Sequence, residues 1–163
     1  MYNHAPENYK CPICLAVQGI ENDDTWIKQK DIFYKDDLVF GLISSKFIKG
    51  NEGHPLLVPR KHFEHIYDLP IQYSHRIAEL ASDVAKALKK IRKSDGVTIQ
   101  QNNEPAGGQY AFHYHLHIVP RFDGDKFYEE SRGARKSRPD ERIAYAEELR
   151  KYFLYHSTQK ISS

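Results

Sequence analysis

The clearest chemical feature of the chain is a group of three histidines in residues 113–118, which read His-Tyr-His-Leu-His-Ile. His113, His115 and His117 alternate with apolar residues, and strict alternation predicts a β-strand with two unlike faces. All three imidazoles should then point to the same side, with neighbours on that face about 7 Å apart along the strand. Imidazoles gathered in this way suit metal binding or chemistry at phosphorus.

Chemistry at phosphorus fits this arrangement better than chelation of one ion by the three histidines. Near pH 7 a large fraction of imidazole is unprotonated, and the neutral ring is a good nucleophile. A tetrahedral ion needs its ligands closer together than a spacing of about 7 Å allows. The plainest alternative is three half-exposed histidines on an antiparallel sheet, which would be favoured for one histidine but not for three in register.

Two cysteines, Cys11 and Cys14, have the spacing of zinc ligands. Two ligands do not close a structural zinc site, so the pair needs partners from elsewhere in the chain. The alternative is a pair of reduced cytosolic thiols. A redox role is disfavoured because no βαβ pattern surrounds the pair.

The whole-chain composition predicts a cytoplasmic protein with one domain over residues 1–163. A length of 163 residues is enough to bury a core, and a net charge of +2 gives no general attraction to nucleic acid or anionic membranes. No apolar run approaches the roughly 20 residues of a membrane helix, and residues 1–7 lack the parts of a signal peptide. The basic segment 132–138 could bind polyphosphate or nucleic acid, but such runs are more often solvated loops, so no nucleic-acid partner is expected.

Short strands and two helices are predicted around these residues, with the core of the domain in about 11–122. The strands are expected at 31–34, 38–43, 54–58, 97–101 and in the histidine segment ending at Pro120. Residues 44–53 are expected to be a polar loop. A long helix should start after Asp68-Leu69-Pro70 and turn the apolar side chains between Ile77 and Ile91 to the sheet. A basic loop and a C-terminal helix from about Pro139 would complete residues 123–163. The pattern indicates an α+β domain with an antiparallel sheet of about five strands.

The histidine segment and three other blocks of the chain also carry a family resemblance. Histidines alternating with apolar residues are the defining motif of the histidine-triad (HIT) family of nucleotide hydrolases and transferases. Residues 102–109, Asn-Asn-Glu-Pro-Ala-Gly-Gly-Gln, and 53–62, Gly-His-Pro-Leu-Leu-Val-Pro-Arg-Lys-His, resemble the blocks that precede the triad in that family. Cys11-Pro-Ile-Cys14 resembles the opening of many bacterial members. Because all the blocks occur in order, the chain is identified as a bacterial-type HIT protein.

This resemblance implies the HIT fold and a role for each histidine of the triad. His115 would attack the α-phosphorus and form a nucleotidyl-histidine intermediate, which water then hydrolyses. His117 would contact the phosphoryl oxygens and assist the leaving group, and His113 would be a supporting residue. The substrate-binding positions implied by the resemblance are Leu42, Ser44, Asn102, Gly107, Gly108 and Gln109.

The residues around the implied phosphate site give more detailed expectations. Asn102 and Gln109 align with positions that hydrogen-bond phosphate in the family. Gly107 and Gly108 have no side chains, so backbone N–H groups could approach an anion closely. Ser44 stands where many members have Asp or Asn on the ribose, which predicts weak discrimination between ribo- and deoxyribonucleotides.

The resemblance also supplies a complete metal site and an assembly. In members with the Cys-x-x-Cys opening, the other zinc ligands correspond to His62 and His113, so a structural zinc on Cys11, Cys14, His62 and His113 is implied. The family's usual two-fold dimer uses the long helix and the following strand, which implies a homodimer here.

The implied activity is hydrolysis of purine nucleoside phosphoramidates or dinucleoside polyphosphates at the α-phosphorus, with release of a nucleoside monophosphate. A nucleotidyl transferase or phosphorylase of the same family is an alternative, although the branch that acts on sugar phosphates has Gln in place of His117. A non-catalytic nucleotide-binding protein is another alternative, which the intact triad disfavours.

Five histidines lie outside the triad and the implied zinc site. His54 could line the active site or satisfy a hydrogen bond in the core. The other four have no motif context and are expected at the surface. They are His4, His65, His75 and His156.

Overall fold

The structure, a computed structural model, describes residues 3–22 and 25–160, and its strands form two antiparallel sheets. The main sheet has five strands in the order β1-β2-β4-β6-β5. A small second sheet pairs β3 with β7. The strands are β1 (Ile32–Lys35), β2 (Val39–Ile43), β3 (Lys46–Phe47), β4 (Pro55–Pro59), β5 (Gly96–Gln101), β6 (Leu116–Arg121) and β7 (Arg135–Lys136).

The two long helices cover one face of the main sheet. Helix α2 (Ile71–Ile91) buries an apolar stripe that includes Ile77 and Val84, and this stripe packs against β4 and β6. Helix α4 (Pro139–Lys160) packs against β1 and β2. The short helices are α1 (Pro12–Val17) and α3 (Phe127–Glu130). None of the helices in the described part of the chain has both the length and the apolar character needed to cross a bilayer.

The opposite face of the sheet carries the N-terminal segment and the histidines. Along β4, Leu57 belongs to the helix-covered core, whereas Leu56 and Val58 belong to a second cluster with residues of α1. His117 lies directly across the ladder from Leu56. Because residues directly opposite each other project from the same face, His117 shares the face on which α1 packs.

The predicted α+β class, the antiparallel five-stranded sheet and both long helices are confirmed. Two loop predictions are wrong in part, because residues 44–53 contain β3 and the basic segment 132–138 contains β7. A two-residue pairing between distant segments leaves no local periodicity in the sequence, so only the folded chain reveals it. Part of the basic segment is also engaged in the fold, since Arg135 bonds Glu141 and the Lys136 ammonium lies over the Trp26 ring.

Gly53 fixes the backbone immediately before His54. Its φ of +70° lies in the left-handed region, and a Cβ added there would lie 2.3 Å from Cγ of the Tyr145 ring. A side chain at this position would therefore be strained by both backbone and packing. The glycine lets the chain enter β4 beneath Tyr145 and places His54 at the edge of the histidine face.

Candidate active site

Of the three triad histidines, only His117 is in a strand. Strand β6 begins at Leu116, and the preceding residues bond to a neighbouring loop, with the Tyr114 N–H donating to the Phe63 carbonyl at 2.6 Å. The prediction of a continuous strand through His113 and His115 is therefore wrong. The ring centroids of His115 and His117 are 4.9 Å apart, which is closer than the expected strand spacing of about 7 Å.

The imidazole of His115 is held as a neutral ring with one free lone pair. Its Nδ1 lies 2.7 Å from the carbonyl oxygen of His113, and a carbonyl oxygen only accepts, so Nδ1 carries the proton and donates it. The other nitrogen, Nε2, is then unprotonated. Burial lowers the pKa of His115 below its usual value, an effect that the bond to the His113 carbonyl partly opposes. A neutral imidazole with a free Nε2 lone pair can act as a nitrogen nucleophile.

His117 forms a pair with His54. The sequence left open whether His54 lines the active site or lies in the core, and the structure places it against His117. His54 Nε2 and His117 Nδ1 are 3.1 Å apart, so one ring donates to the other. Burial, followed by the nearby His115, lowers the pKa of His54 to about 4. Burial also lowers the pKa of His117, with the neighbouring His115, His54 and Lys46 adding to the effect. The two rings therefore form a neutral hydrogen-bonded pair beside His115.

The imidazole of His113 turns away from the other two and joins the cysteines. Its Nε2 donates to the Pro59 carbonyl at 2.9 Å, which leaves the Nδ1 lone pair facing Cys11 Sγ at 3.4 Å and Cys14 Sγ at 3.6 Å. His62 Nδ1 lies 3.3 Å from Cys14 Sγ. Sulfur and nitrogen ligands of one tetrahedral zinc lie about 3.5 Å apart, as their bond lengths require. These four residues, the Cys–His cluster, fit a zinc ion.

The local fold of α1 brings the two sulfurs together. Cys11 caps the helix, its Sγ accepting from the Cys14 N–H at 3.4 Å, and Pro12 occupies the first helical position, where its missing N–H costs nothing. Both cysteines are free thiols. Burial, together with the neighbouring Cys14, raises the pKa of Cys11 to about 12. A cation between the sulfurs would offset this cost and hold them as thiolates.

Residues of the 102–109 loop are used to shape the loop itself. The Gln109 side chain accepts from the Glu104 N–H at 2.7 Å and donates to the carbonyls of Glu64 at 2.8 Å and Ala111 at 3.1 Å. Asn102 accepts from the Gln100 side chain at 2.9 Å. In this arrangement Gln109 positions the loop, and its contact with phosphate stays a prediction.

The two glycines of this loop also use their backbone donors locally. The Gly107 N–H donates to the Glu104 carbonyl at 3.1 Å, and the Gly108 N–H donates to the Pro105 carbonyl at 3.0 Å. Gly108 has a φ of +85°, which suits a residue without a side chain. Backbone contacts from Gly107 or Gly108 to an anion would therefore require the loop to rearrange, and they also stay predictions.

Leu42 and Ser44, two of the implied substrate-binding positions, are both buried next to β4. Leu42 packs in the same cluster as Leu56 and Val58. The Ser44 N–H donates to the His54 carbonyl at 3.0 Å, and its Oγ accepts from the Lys46 N–H at 3.2 Å. Ser44 is thus fixed beside the His54–His117 pair, and its contact with ribose stays a prediction.

A match to a family model settles the relationship that the motifs suggested. The model of the HIT domain matches residues 27–124, which is more than half of the chain. The chain belongs to the HIT family.

Relatives in two kinds of comparison agree with this assignment. Protein hit of Bacillus subtilis is 30% identical over 125 residues, covering 76% of this chain and 79% of the relative. Adenylylsulfatase HINT3 of Arabidopsis thaliana is 28% identical over 115 residues, covering 71% of this chain and 54% of the relative. A zinc-bound histidine triad family protein from Mycobacterium smegmatis superposes with a TM-score of 0.72 at 26% identity, covering 92% of this chain and 97% of that one.

The sequence motifs did not predict the environments of two residues in this HIT domain. His65 was expected at the surface and is fully buried, with the rings of His4 and Tyr67 against it. Lys46, in β3, is close enough to His117 to lower its pKa, so it brings a positive charge to the site. Neither residue belongs to a periodic pattern, and no sequence signal could have identified them.

Proposed function

We propose that this HIT protein hydrolyses purine nucleoside phosphoramidates or dinucleoside polyphosphates at the α-phosphorus and releases a nucleoside monophosphate. The observation that carries the proposal is the state of His115, a neutral imidazole whose protonated Nδ1 is held by the His113 carbonyl. Two free thiols, Cys11 buried and Cys14 partly buried, fit a cytoplasmic setting for such an enzyme.

In the proposed reaction the histidine bonds to phosphorus and water later replaces it. The Nε2 lone pair of His115 attacks the α-phosphorus, a P–N bond to the ring forms, and the bond to the amine or phosphate leaving group breaks. His117 would pass a proton taken up from solvent to a departing amine, and the water that later attacks the phosphorus releases one in return. Water then attacks the phosphorus, the P–N bond to His115 breaks, and the monophosphate leaves. Lys46 would offset the charge of the phosphoryl oxygens.

A substrate panel in isotopically labelled water tests this proposal. Adenosine phosphoramidate, diadenosine polyphosphates and adenylyl sulfate would be supplied separately, the last because one relative is an adenylylsulfatase. The expected product is AMP with one oxygen from water on its phosphate. Supplying inorganic phosphate tests for a phosphorylase, which would produce ADP without the label. Binding of these nucleotides with no turnover would instead identify a non-catalytic nucleotide-binding protein.

The Cys–His cluster is proposed to hold a structural zinc. Its four ligand atoms lie within 4.8 Å of one another, and the M. smegmatis relative is zinc-bound. When bound, zinc would stabilise the cysteine thiolates and hold α1 against the sheet. The Nδ1 of His113 faces the two sulfurs, whereas the His115 ring contacts His117.

Replacing Cys14 by serine should remove this zinc and lower the thermal stability. Wild-type protein should carry about one thiolate-bound zinc per chain, whose binding energy is also folding energy. Elemental analysis and thermal unfolding with and without a chelator measure both effects. Lys10→Ser, next to Cys11 in sequence, is the control and should keep its zinc. Freshly reduced wild-type protein without zinc would contradict the proposal.

A homodimer is proposed through the free edge of β5. In the part of the chain that is described, β5 pairs on one side only, with β6. Ile99, in the middle of β5, is 53% exposed and lies opposite the buried Ile118, so it faces the side that α2 covers. An exposed apolar residue on an unpaired edge strand suits pairing with a second copy.

Ile99→Asp should weaken this dimer at least about tenfold, since a charge would be buried in the interface. Light scattering over a range of concentrations should show wild-type protein at twice the 19.0 kDa chain mass and the variant shifted towards the monomer. Leu154→Asp, at a 68% exposed position in α4, is the control. A wild-type monomer at micromolar concentration would disprove the assembly.

A further inference from the structure

Three metal-binding side chains outside the Cys–His cluster meet at a second point. His4, in the N-terminal segment, approaches Glu64 and His65, in the loop that leads from β4 to α2; we name these three residues the His4 cluster. Their ligand atoms all lie within 4.8 Å of one another. Glu64 Oε1 is 3.2 Å from His65 Nε2 and 3.8 Å from His4 Nδ1. One carboxylate oxygen thus sits between two imidazole nitrogens.

His65 is the residue that ordinary packing leaves unexplained. Its side chain is fully buried, yet within the described residues neither of its ring nitrogens has a hydrogen-bond partner. The short distance from His65 Nε2 to Glu64 does not satisfy this nitrogen, because the two groups are not aligned for a hydrogen bond. His4 Nδ1 is also buried and also lacks a hydrogen-bond partner among the described residues. Since buried polar groups in native proteins are almost always satisfied, these nitrogens indicate a ligand between them.

The donors and the surrounding charge identify the class of ligand. Two imidazoles and a carboxylate are a set that zinc and similar divalent transition metals prefer. Nitrogen and oxygen ligands of one tetrahedral zinc lie about 3.3 Å apart, close to the distances found here. Glu104 adds a second carboxylate, with Oε2 at 3.5 Å from His4 Nε2. Two carboxylates therefore surround three nitrogens that lack hydrogen-bond partners, and this arrangement suits a cation.

We propose that His4, Glu64 and His65 bind a second divalent cation of the zinc class, independently of the Cys–His cluster. Three protein ligands leave one coordination position for water. The Glu64 carbonyl also accepts the Gln109 amide at 2.8 Å, so a cation here would brace the 102–109 loop from outside the active site. The proposal does not depend on the hydrolase activity.

Cobalt titration of the full chain distinguishes the two metal sites. Cobalt bound by thiolates has a strong near-ultraviolet absorption, whereas cobalt bound by imidazole and carboxylate lacks it. Wild-type protein should bind about two equivalents, one with this absorption and one without. His4→Ala should weaken the equivalent without the absorption at least about tenfold and leave the thiolate-bound one unchanged. His75→Ala, at an exposed position of α2, is the matched control and should keep both.

Glu64→Gln provides a second variant that preserves the local fold. The glutamine oxygen can still accept the His4 backbone N–H that Glu64 Oε1 accepts at 2.7 Å, while the negative charge is lost. Weaker binding in this variant, with unchanged thermal unfolding in the absence of metal, supports the site. Binding of the thiolate equivalent alone by wild-type protein would overturn the proposal and leave the His4 cluster as an ion-pair network. A second equivalent that survives both variants would overturn it as well.

Discussion

His115→Ala should lower kcat/KM for a nucleoside phosphoramidate at least about a thousandfold, or about 4 kcal/mol in activation free energy, and leave the protein folded. The substitution removes the nucleophilic nitrogen and so the covalent route. In the proposed reaction His117 assists the leaving group, so it does not take over the attack. The fold should survive because the neighbouring Tyr114 and Ile118, rather than His115, fill the core beneath α2.

Steady-state rates and intact-protein mass spectrometry check this result. Quenched wild-type protein should carry a nucleotide adduct that the variant lacks. His75→Ala is a histidine-to-alanine control on the exposed face of α2 and should keep the wild-type rate. Activity above about one tenth of wild type in His115→Ala, a loss below about 1.4 kcal/mol, would show that another group attacks the phosphorus.

Arg142→Met should lower the free energy of unfolding by about 3–5 kcal/mol, because it leaves a buried carboxylate unpaired. Arg142, in α4, is 1% exposed, and its Nε lies 2.9 Å from Oδ2 of the fully buried Asp31. The same guanidinium donates to the Ser137 carbonyl at 2.9 Å and to the Trp26 carbonyl at 2.8 Å. One side chain therefore ties α4 to the segment that leads into β1.

Urea unfolding of single and double variants measures the contribution of this pair. Arg138→Met, whose exposed partner is Asp140, should leave the midpoint unchanged. Adding Asp31→Leu to Arg142→Met should recover much of the lost stability, since the orphaned charge is then gone. A midpoint for Arg142→Met equal to that of the Arg138 variant would show that water reaches the carboxylate and that the pair is not a fixed part of the core.

The sequence predicted the elements whose patterns repeat locally. The stripe on α2 was readable because its apolar residues recur at helical spacing, and it packs as predicted. The Cys–His cluster was predicted through the family resemblance alone, since nothing in the spacing of Cys11 and Cys14 points to His62 or His113. The structure brings these four residues together from three separate segments.

Features created by long-range contacts could not be predicted. The segment 113–115 alternates like a strand, but its backbone bonds to the loop at Phe63 instead of to a ladder. His65 looked like a surface residue because burial by a folded loop has no periodic signature. The pairing of Arg142 with Asp31 joins residues more than a hundred positions apart, and charged residues at such a separation carry no pairing signal.

His113 takes part in two arrangements through two different groups. Its imidazole faces the sulfurs of Cys11 and Cys14, whereas its main-chain carbonyl holds Nδ1 of His115. Alanine at this position would keep that carbonyl and lose only the ring. In an alanine scan of the three histidines, a loss of activity at His113 would suggest a catalytic role. The defect would in fact arise in the N-terminal segment. The contiguous histidine motif of this chain therefore serves two separate structural purposes. Loss of the His113 side chain would first affect the anchoring of α1 and only indirectly the chemistry at His115.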